Sequence, residues 1–158
     1  MFIRPMLALA AALSASLPVH AAEVPYPAGY RAWTHVKSMA ILPGHALYEG
    51  FGGLHHIYAN AKALAGYQSG RFKDGSVIVF DLLEADTSGN ALSEGKRKIV
   101  GVMHRDAKRY AATGGWGFEG FAAGDPKVRA VGNQAKTACF DCHAPQAARG
   151  YVFSSWRE

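Results

Sequence analysis

Cysteine is scarce in this chain: 158 residues hold two, at positions 139 and 142. A structural zinc site needs four ligands, so histidines would have to supply the other two. His55 and His56 are adjacent and would point to opposite faces of a strand, which argues against that. Concentrated basic charge is lacking as well. The 17 Lys and Arg residues are scattered, Lys96-Arg97-Lys98 is the only tight cluster, and the aromatics do not interleave with them. A nucleic-acid footprint wants a concentrated basic face, so no nucleic-acid partner is expected. Beyond the first 22 residues, no apolar run approaches the ~20 residues that a membrane-spanning helix needs. Internal repeats and low-complexity tracts are missing too.

What is present is a globular composition, 49% hydrophobic and 18% charged, at a length that buries a real core in one domain. The N-terminus stands apart. Met1 to His20 carries one cation at Arg4 and an apolar run from Met6 to Leu13, and Ala21-Ala22 follow as small residues. This is the pattern of a secretory signal peptide cleaved near Ala22, with an uncleaved N-terminal anchor as the alternative. The expected organisation is a signal peptide at 1–22 and a single domain at 23–158, exported to the periplasm. Removing 1–22 takes away Arg4 and no acid, so the formal net charge falls from +5 to +4.

Along the mature chain, Tyr30, Trp33, Val36 or Lys37, and Ile41 fall at helix-like intervals, which predicts a short helix over 28–39 that ends at Leu42-Pro43-Gly44. Residues 51–59 are rich in β-formers and read as a strand. Asn60 is placed to cap a helix over 61–67. The Asp74-Gly75 turn opens the strongest strand, 76–83, whose apolar residues occupy both parities, so both of its faces are expected to be covered. A polar loop over 86–96, a strand over 98–104 and a brief helix over 106–112 with Asp106 as cap follow. A fourth strand over 114–121 carries recurring glycines that would let another backbone or a flat ligand approach closely. The expected fold class is α+β: predominantly antiparallel β-sheet with short helices and a C-terminal segment that carries the chemistry.

That chemistry lies in Cys139-Phe140-Asp141-Cys142-His143. In an oxidising compartment two cysteines default to a disulfide. Two cysteines separated by two residues and followed at once by histidine are more specific, because covalent attachment of a c-type haem requires that spacing. Each thiol can add to one vinyl group, and the adjacent imidazole is held where it can ligate the iron. The expected cofactor is therefore one covalent haem c, with Cys139, Cys142 and His143 as its binding residues and His143 as the iron ligand. One or two of the scattered cations would pair with its propionates. Electron carriers close the sixth position with methionine or a second histidine. Here the methionines are Met1, Met6, Met39 and Met103, all upstream of the motif, the reverse of the usual arrangement in small carriers. A five-coordinate iron with a vacant distal face is the favoured reading, and ligation by Met39, Met103 or a histidine is the alternative.

A haem motif near the C-terminus also occurs in helical-bundle cytochromes, but the β-patterns at 76–83 and around Trp116 do not fit four long helices. The chain instead resembles the exported β-sheet cytochromes comprising cytochrome P-460 and cytochrome c-prime-beta. The resemblance lies in Tyr30-Arg31-Ala32-Trp33, Ile57-Tyr58, Gly70-Arg71-Phe72-Lys73-Asp74-Gly75-Ser76-Val77, Arg105-Asp106-Ala107-Lys108-Arg109-Tyr110, Trp116-Gly117-Phe118 and the terminal haem motif. In the P-460 branch, which oxidises hydroxylamine, a lysine on the central strand is cross-linked to the haem. The matching position here is Phe80, and no lysine lies between Ser76 and Asp86. In the c-prime-beta branch phenylalanines cap the distal face, which the resemblance assigns to Phe80 and Phe51. A distal acidic residue of the P-460 branch matches Gly101, and an arginine of that branch lies near His55. The resemblance also implies a homodimer.

A wall of Phe80 and Phe51 offers no hydrogen-bond donor and keeps water away, which suits NO or CO. If the strand runs regularly from Phe51, His55 shares its face and looks toward the haem, where an imidazole could donate to a ligand or shuttle a proton. A bulge at Gly52-Gly53 would reverse that parity. His35, His45 and His104 read as surface or sheet residues. The expected function is a periplasmic mono-haem cytochrome that binds NO or CO for scavenging or sensing. A haem enzyme oxidising hydroxylamine or reducing peroxide, and an electron carrier serving a redox partner protein, are the alternatives.

Overall fold

The computed structural model describes residues 23–157, so the signal-peptide expectation at 1–22 lies outside the described residues. Five strands form one antiparallel meander in the order β1-β2-β3-β4-β5. They are β1 (Thr34–Ile41), β2 (Gly53–Ala59), β3 (Val77–Asp86), β4 (Ser93–Arg105) and β5 (Trp116–Ala122). Short helices α1 (Tyr48–Phe51) and α2 (Ala61–Ser69) flank β2. A helical stretch over 136–149 carries the cysteines: a π turn Lys136–Phe140, an α turn Asp141–His143 (α3), and a 3-10 turn Ala144–Arg149. The expected α+β class holds.

The helix expected over 28–39 is the main correction. The structure has a 3-10 turn at Tyr30–Ala32 followed by β1, so the sheet has five strands where four were expected. The helix-like spacing has two separate causes. The 3-10 turn sets the interval from Tyr30 to Trp33, and a bulge between His35 and Lys37 inserts Val36 as an extra residue, which breaks the period of two. Smaller departures follow the same logic. β4 starts at Ser93 and shortens the expected loop, while 106–112 is turns ending in a 3-10 turn at Ala111–Thr113 rather than a helix. Asp106 still caps, with Arg109 N–H donating to its Oδ1 at 2.9 Å.

Asn60 behaves as expected for a helix cap and does more. Its Oδ1 accepts from the N–H of Ala63 at 2.9 Å and of Val77 at 3.1 Å, and its Nδ2 donates to Gly75 O at 2.9 Å. One side chain therefore ties the start of α2 to the turn that launches β3. Both faces of β3 are covered, as its double parity requires: Ile78 packs in one core and Val79 in another. The second core is closed by Val24, Tyr26, Tyr30, Trp33 and Tyr110, and holds Asp81, buried and paired with the Arg97 guanidinium at 2.6 Å and with the Tyr30 hydroxyl at 2.7 Å.

On the other face, strand register lines residues up in rows. Ala59, Ile78, Met103 and Phe118 form the first row. Lys37, Ile57, Phe80, Gly101 and Gly120 form the second, and Met39, His55 and Leu82 the third. Rows are two residues apart along the strands, so the first and third lie roughly 13 Å apart. The haem-motif segment and the tail through Trp156 cover the first row. Trp116 Nε1–H, donating to Gly150 O at 2.9 Å, pins that cover to β5. The glycines of β5 serve protein packing: a Cβ on Gly117 would strike the Tyr110 ring and Val24.

Candidate functional site

A cavity of about 420 Å³ opens between the sheet rows and the C-terminal segment, with largely apolar walls. Cys139, Cys142 and His143 stand on one side of it. Their spacing within a helical stretch puts both cysteines on one face with the imidazole beside them. Both thiols are free, Cys139 half-buried and Cys142 exposed. Burial, helped by Glu119 and Cys142, pushes the Cys139 thiol up to about 11, so it is a protonated thiol rather than a redox thiolate.

The His143 ring is wedged between Phe118, 5.0 Å away, and Phe153, 4.9 Å away. Its Nδ1 lies 2.8 Å from Tyr151 O. A carbonyl only accepts, so Nδ1 carries the proton and Nε2 keeps a free lone pair, which is how metal-ligating histidines are oriented. Burial holds the imidazole below its ordinary range despite that bond, so the ring is neutral. Gly150 (φ 67°) and Tyr151 (φ 66°) are both left-handed, and this turn is what brings the Tyr151 carbonyl back to His143.

At the other end of the cavity, Phe80 from β3 and Phe51 from α1 meet edge to face, centroids 5.9 Å apart. His55 lies against Phe80 at 4.5 Å and is 6% exposed. The glycine pair did not turn His55 away. Gly53 adopts φ 130°, and a Cβ there would sit 2.1 Å from Leu83 O, so glycine lets the chain pass from α1 into β2 with both Phe51 and His55 facing the cavity. His56 faces the opposite side, within reach of Ser38 and Glu94. His35 and His104 also lie away from the cavity, and His45 is exposed.

Both candidate methionines line the cavity. Met103 sits in the first row beside Phe118, at the His143 end, whereas Met39 is paired with His55 at the far end. Gly101 lies on the wall opposite Phe80 in register and keeps the middle of the cavity low.

Sequence reasoning missed two residues. Lys37 is the one lysine or arginine on the walls among the described residues, and its Nζ donates to Ser155 Oγ at 3.2 Å. It was hidden because its segment carries a helical spacing. Glu119, buried on β5, accepts from the N–H groups of Gly120, Val131 and Gly132 and from Arg129 Nη1. Burial raises its carboxyl, but these donors outweigh that and hold it below the usual range. Its position two residues beyond Gly117 in a strand gave no signal that it would organise the segment leading to the cysteines.

The residues fit a covalent haem: two thiols and a correctly oriented imidazole border an apolar cavity, and a lysine with no carboxylate partner lies on its wall among the described residues. No group of three or more His, Cys, Asp or Glu among the described residues is arranged to hold a metal ion directly. No curated protein matches the chain. The family model described as Cytochrome P460 matches residues 27–154.

Proposed function

Starting from the fact that the chain belongs to the cytochrome P460 family and so carries haem c with its iron, we propose that it is a gas-binding cytochrome that takes NO or CO at a five-coordinate iron. The observation that carries this reading is the Phe80–Phe51 pair at the end of the cavity away from His143. When bound, haem supplies an iron with one coordination position for a small ligand. The chain's residues divide the remaining work. Cys139 and Cys142 tether the ring, and His143 Nε2 holds the iron while Tyr151 fixes the imidazole. Lys37, the one lysine or arginine on the cavity wall among the described residues, would pair with a propionate. Phe80 and the partly exposed Phe51 put two apolar rings at that end and themselves offer no hydrogen bond to a ligand. No lysine stands on β3, so the cross-link associated with hydroxylamine oxidation has no amine at position 80.

Absorbance and resonance Raman spectra of the ferric, ferrous and CO-bound forms test this. The ferrous protein is expected to be high-spin and five-coordinate, and to bind CO and NO. A low-spin six-coordinate resting spectrum that Met39→Leu converts to high-spin would instead establish methionine ligation and the electron-carrier reading.

The proposal includes an exported homodimer reset by a protein redox partner. Export is supported by the composition of residues 1–22, and dimerisation by exposed Met39, Leu42, Leu47, Tyr48 and Phe51 around the cavity mouth. Protein purified from the periplasm is expected to lack 1–22 by mass and to sediment as a dimer; a monomer at micromolar concentration would remove that part.

A further inference from the structure

On the face of the sheet turned away from the haem cavity, His35 and Ser38 of β1 meet His56 of β2 and Glu94 of β4. Ser38 Oγ lies 2.9 Å from His35 Nε2 and 2.6 Å from His56 Nδ1, so nitrogens of two imidazoles converge on one hydroxyl. The two rings stand edge to face with centroids 5.7 Å apart. A local device makes this possible. In a regular strand residues 35 and 38 would point to opposite faces, and the extra residue at the Val36 bulge puts both on the same one. Ser38 is then directly opposite His56 in the register. β1 is an edge strand of the sheet and Ser38 is exposed, so the cluster is open to solvent.

One hydroxyl has one proton, so Ser38 can donate to only one of the two rings. The other side of His56 decides which. His56 Nε2 lies 2.9 Å from Glu94 Oε1, and a carboxylate only accepts, so Nε2 carries the proton and Nδ1 keeps its lone pair toward Ser38. That contact is bent, and Nε2 is left buried with no aligned hydrogen-bond partner. The His56 ring thus has a carboxylate behind it and its free nitrogen turned to the point it shares with His35, which is how outer carboxylates hold metal-ligating histidines. Use of Ser38 as a nucleophile fits less well, because it is absent from the cavity wall and is flanked by two rings where a nucleophile pairs with one base.

We propose that His35, His56 and the Ser38 hydroxyl form a surface site for a divalent transition-metal ion of the zinc or copper class, with Glu94 positioning the His56 ring. Imidazole suits these ions, whereas magnesium and calcium want carboxylate and carbonyl oxygens. To bind, the Ser38 O–H turns out of the bridge and His35 carries its proton on Nδ1, so both rings present lone pairs to one point. No three His, Cys, Asp or Glu side chains converge there, because Glu94 meets the far nitrogen of His56. The site is therefore an open two-imidazole one, completed by water. It lies on the reverse face of the sheet and does not depend on what the haem binds.

The test uses the untagged, haem-loaded protein, in which both thiols and His143 are already engaged. Zinc binding is measured by titration calorimetry, and the protein loaded with cupric ion is examined by electron paramagnetic resonance. Wild type is expected to bind one equivalent of zinc and to show cupric hyperfine coupling from two nitrogens. His35→Ala and His56→Ala should each weaken zinc binding by more than about tenfold, and should reduce the cupric coupling to one nitrogen. Glu94→Ala leaves both ligands in place and should weaken zinc about tenfold, the low end for an outer partner because Glu94 is largely exposed. His45→Ala, exposed and outside the cluster, should change nothing. Zinc should raise the melting temperature of wild type and not of the His35 and His56 variants. His35→Gln, which keeps a polar side chain without the imidazole, decides the matter if an alanine protein folds poorly. A wild type with no saturable zinc binding up to about 1 mM overturns the proposal. So does a folded His35→Gln or His56→Ala protein that binds zinc as tightly as wild type.

Discussion

Replacing Cys139 and Cys142 together by alanine is expected to abolish covalent haem completely, read as loss of the haem band that otherwise stays with the denatured polypeptide. The expectation follows from chemistry and position. These are the only two thiols in the chain, both are free, and both border the cavity. Noncovalent haem would then depend on His143 and an apolar pocket, a far weaker hold. The single variants should separate the two anchors: each is expected to retain one thioether and a red-shifted band. His143→Ala should keep the thioethers, since it leaves both thiols in place, while the iron loses its protein ligand. Added imidazole is expected to restore the ligand-field spectrum of that variant. If the double-alanine protein still carries haem through denaturation, attachment runs through another residue, and Lys37 is the one amine on the wall among the described residues.

The second large effect lies away from the iron. Glu119→Ala is expected to destabilise the fold by about 3 kcal/mol, because the backbone N–H groups of Gly120, Val131 and Gly132 lose their acceptor, while the partly exposed Arg129 keeps Glu23 as a partner. Here the loss is compounded. Glu119 Oε1 gathers the backbone N–H groups of Val131 and Gly132, which begin the approach to the cysteine-bearing helix, and Oε2 receives Arg129. Set against a total stability of roughly 5–15 kcal/mol, that change should be visible as a large drop in denaturant midpoint. Glu119→Gln keeps the shape and one acceptor and should cost less, about 1–3 kcal/mol. The carboxyl is held below its ordinary range when folded, so the unfolded chain binds its proton more readily. Its stabilising contribution is therefore complete above the ordinary glutamate range and declines as pH falls through the depressed folded value. Glu119→Gln should flatten that acid limb. An unfolding curve with the same acid dependence in both proteins would show that Glu119 does not supply it.

The parts of this protein that were legible in advance are those decided by neighbours in sequence. Asn60 caps α2, the Asp74-Gly75 turn launches β3, and the apolar residues at both parities of β3 correctly signal cover on both faces. Phe80 and Phe51 come together on the cavity wall from β3 and α1. Where reading failed, two local devices overlapped. A 3-10 turn and a bulged strand together imitate a helix over 28–39, and the error concealed Lys37, which reaches the cavity only because the bulge at Val36 resets the face that follows it.

The pentapeptide ending in His143 named the cofactor by itself, because two thiols and an imidazole within one helical turn are a local arrangement that needs no partner from elsewhere in the chain. The surroundings of that site depended on tertiary structure. Gly53 sets which way His55 points, strand register sets His55 against Phe80 and Met39, and the turn at Gly150 and Tyr151 sets which nitrogen of His143 is free. Each of these depends on hydrogen bonds and packing between residues far apart in the chain. Such contacts form only when the sheet closes its register, so no local pattern of residues encodes them.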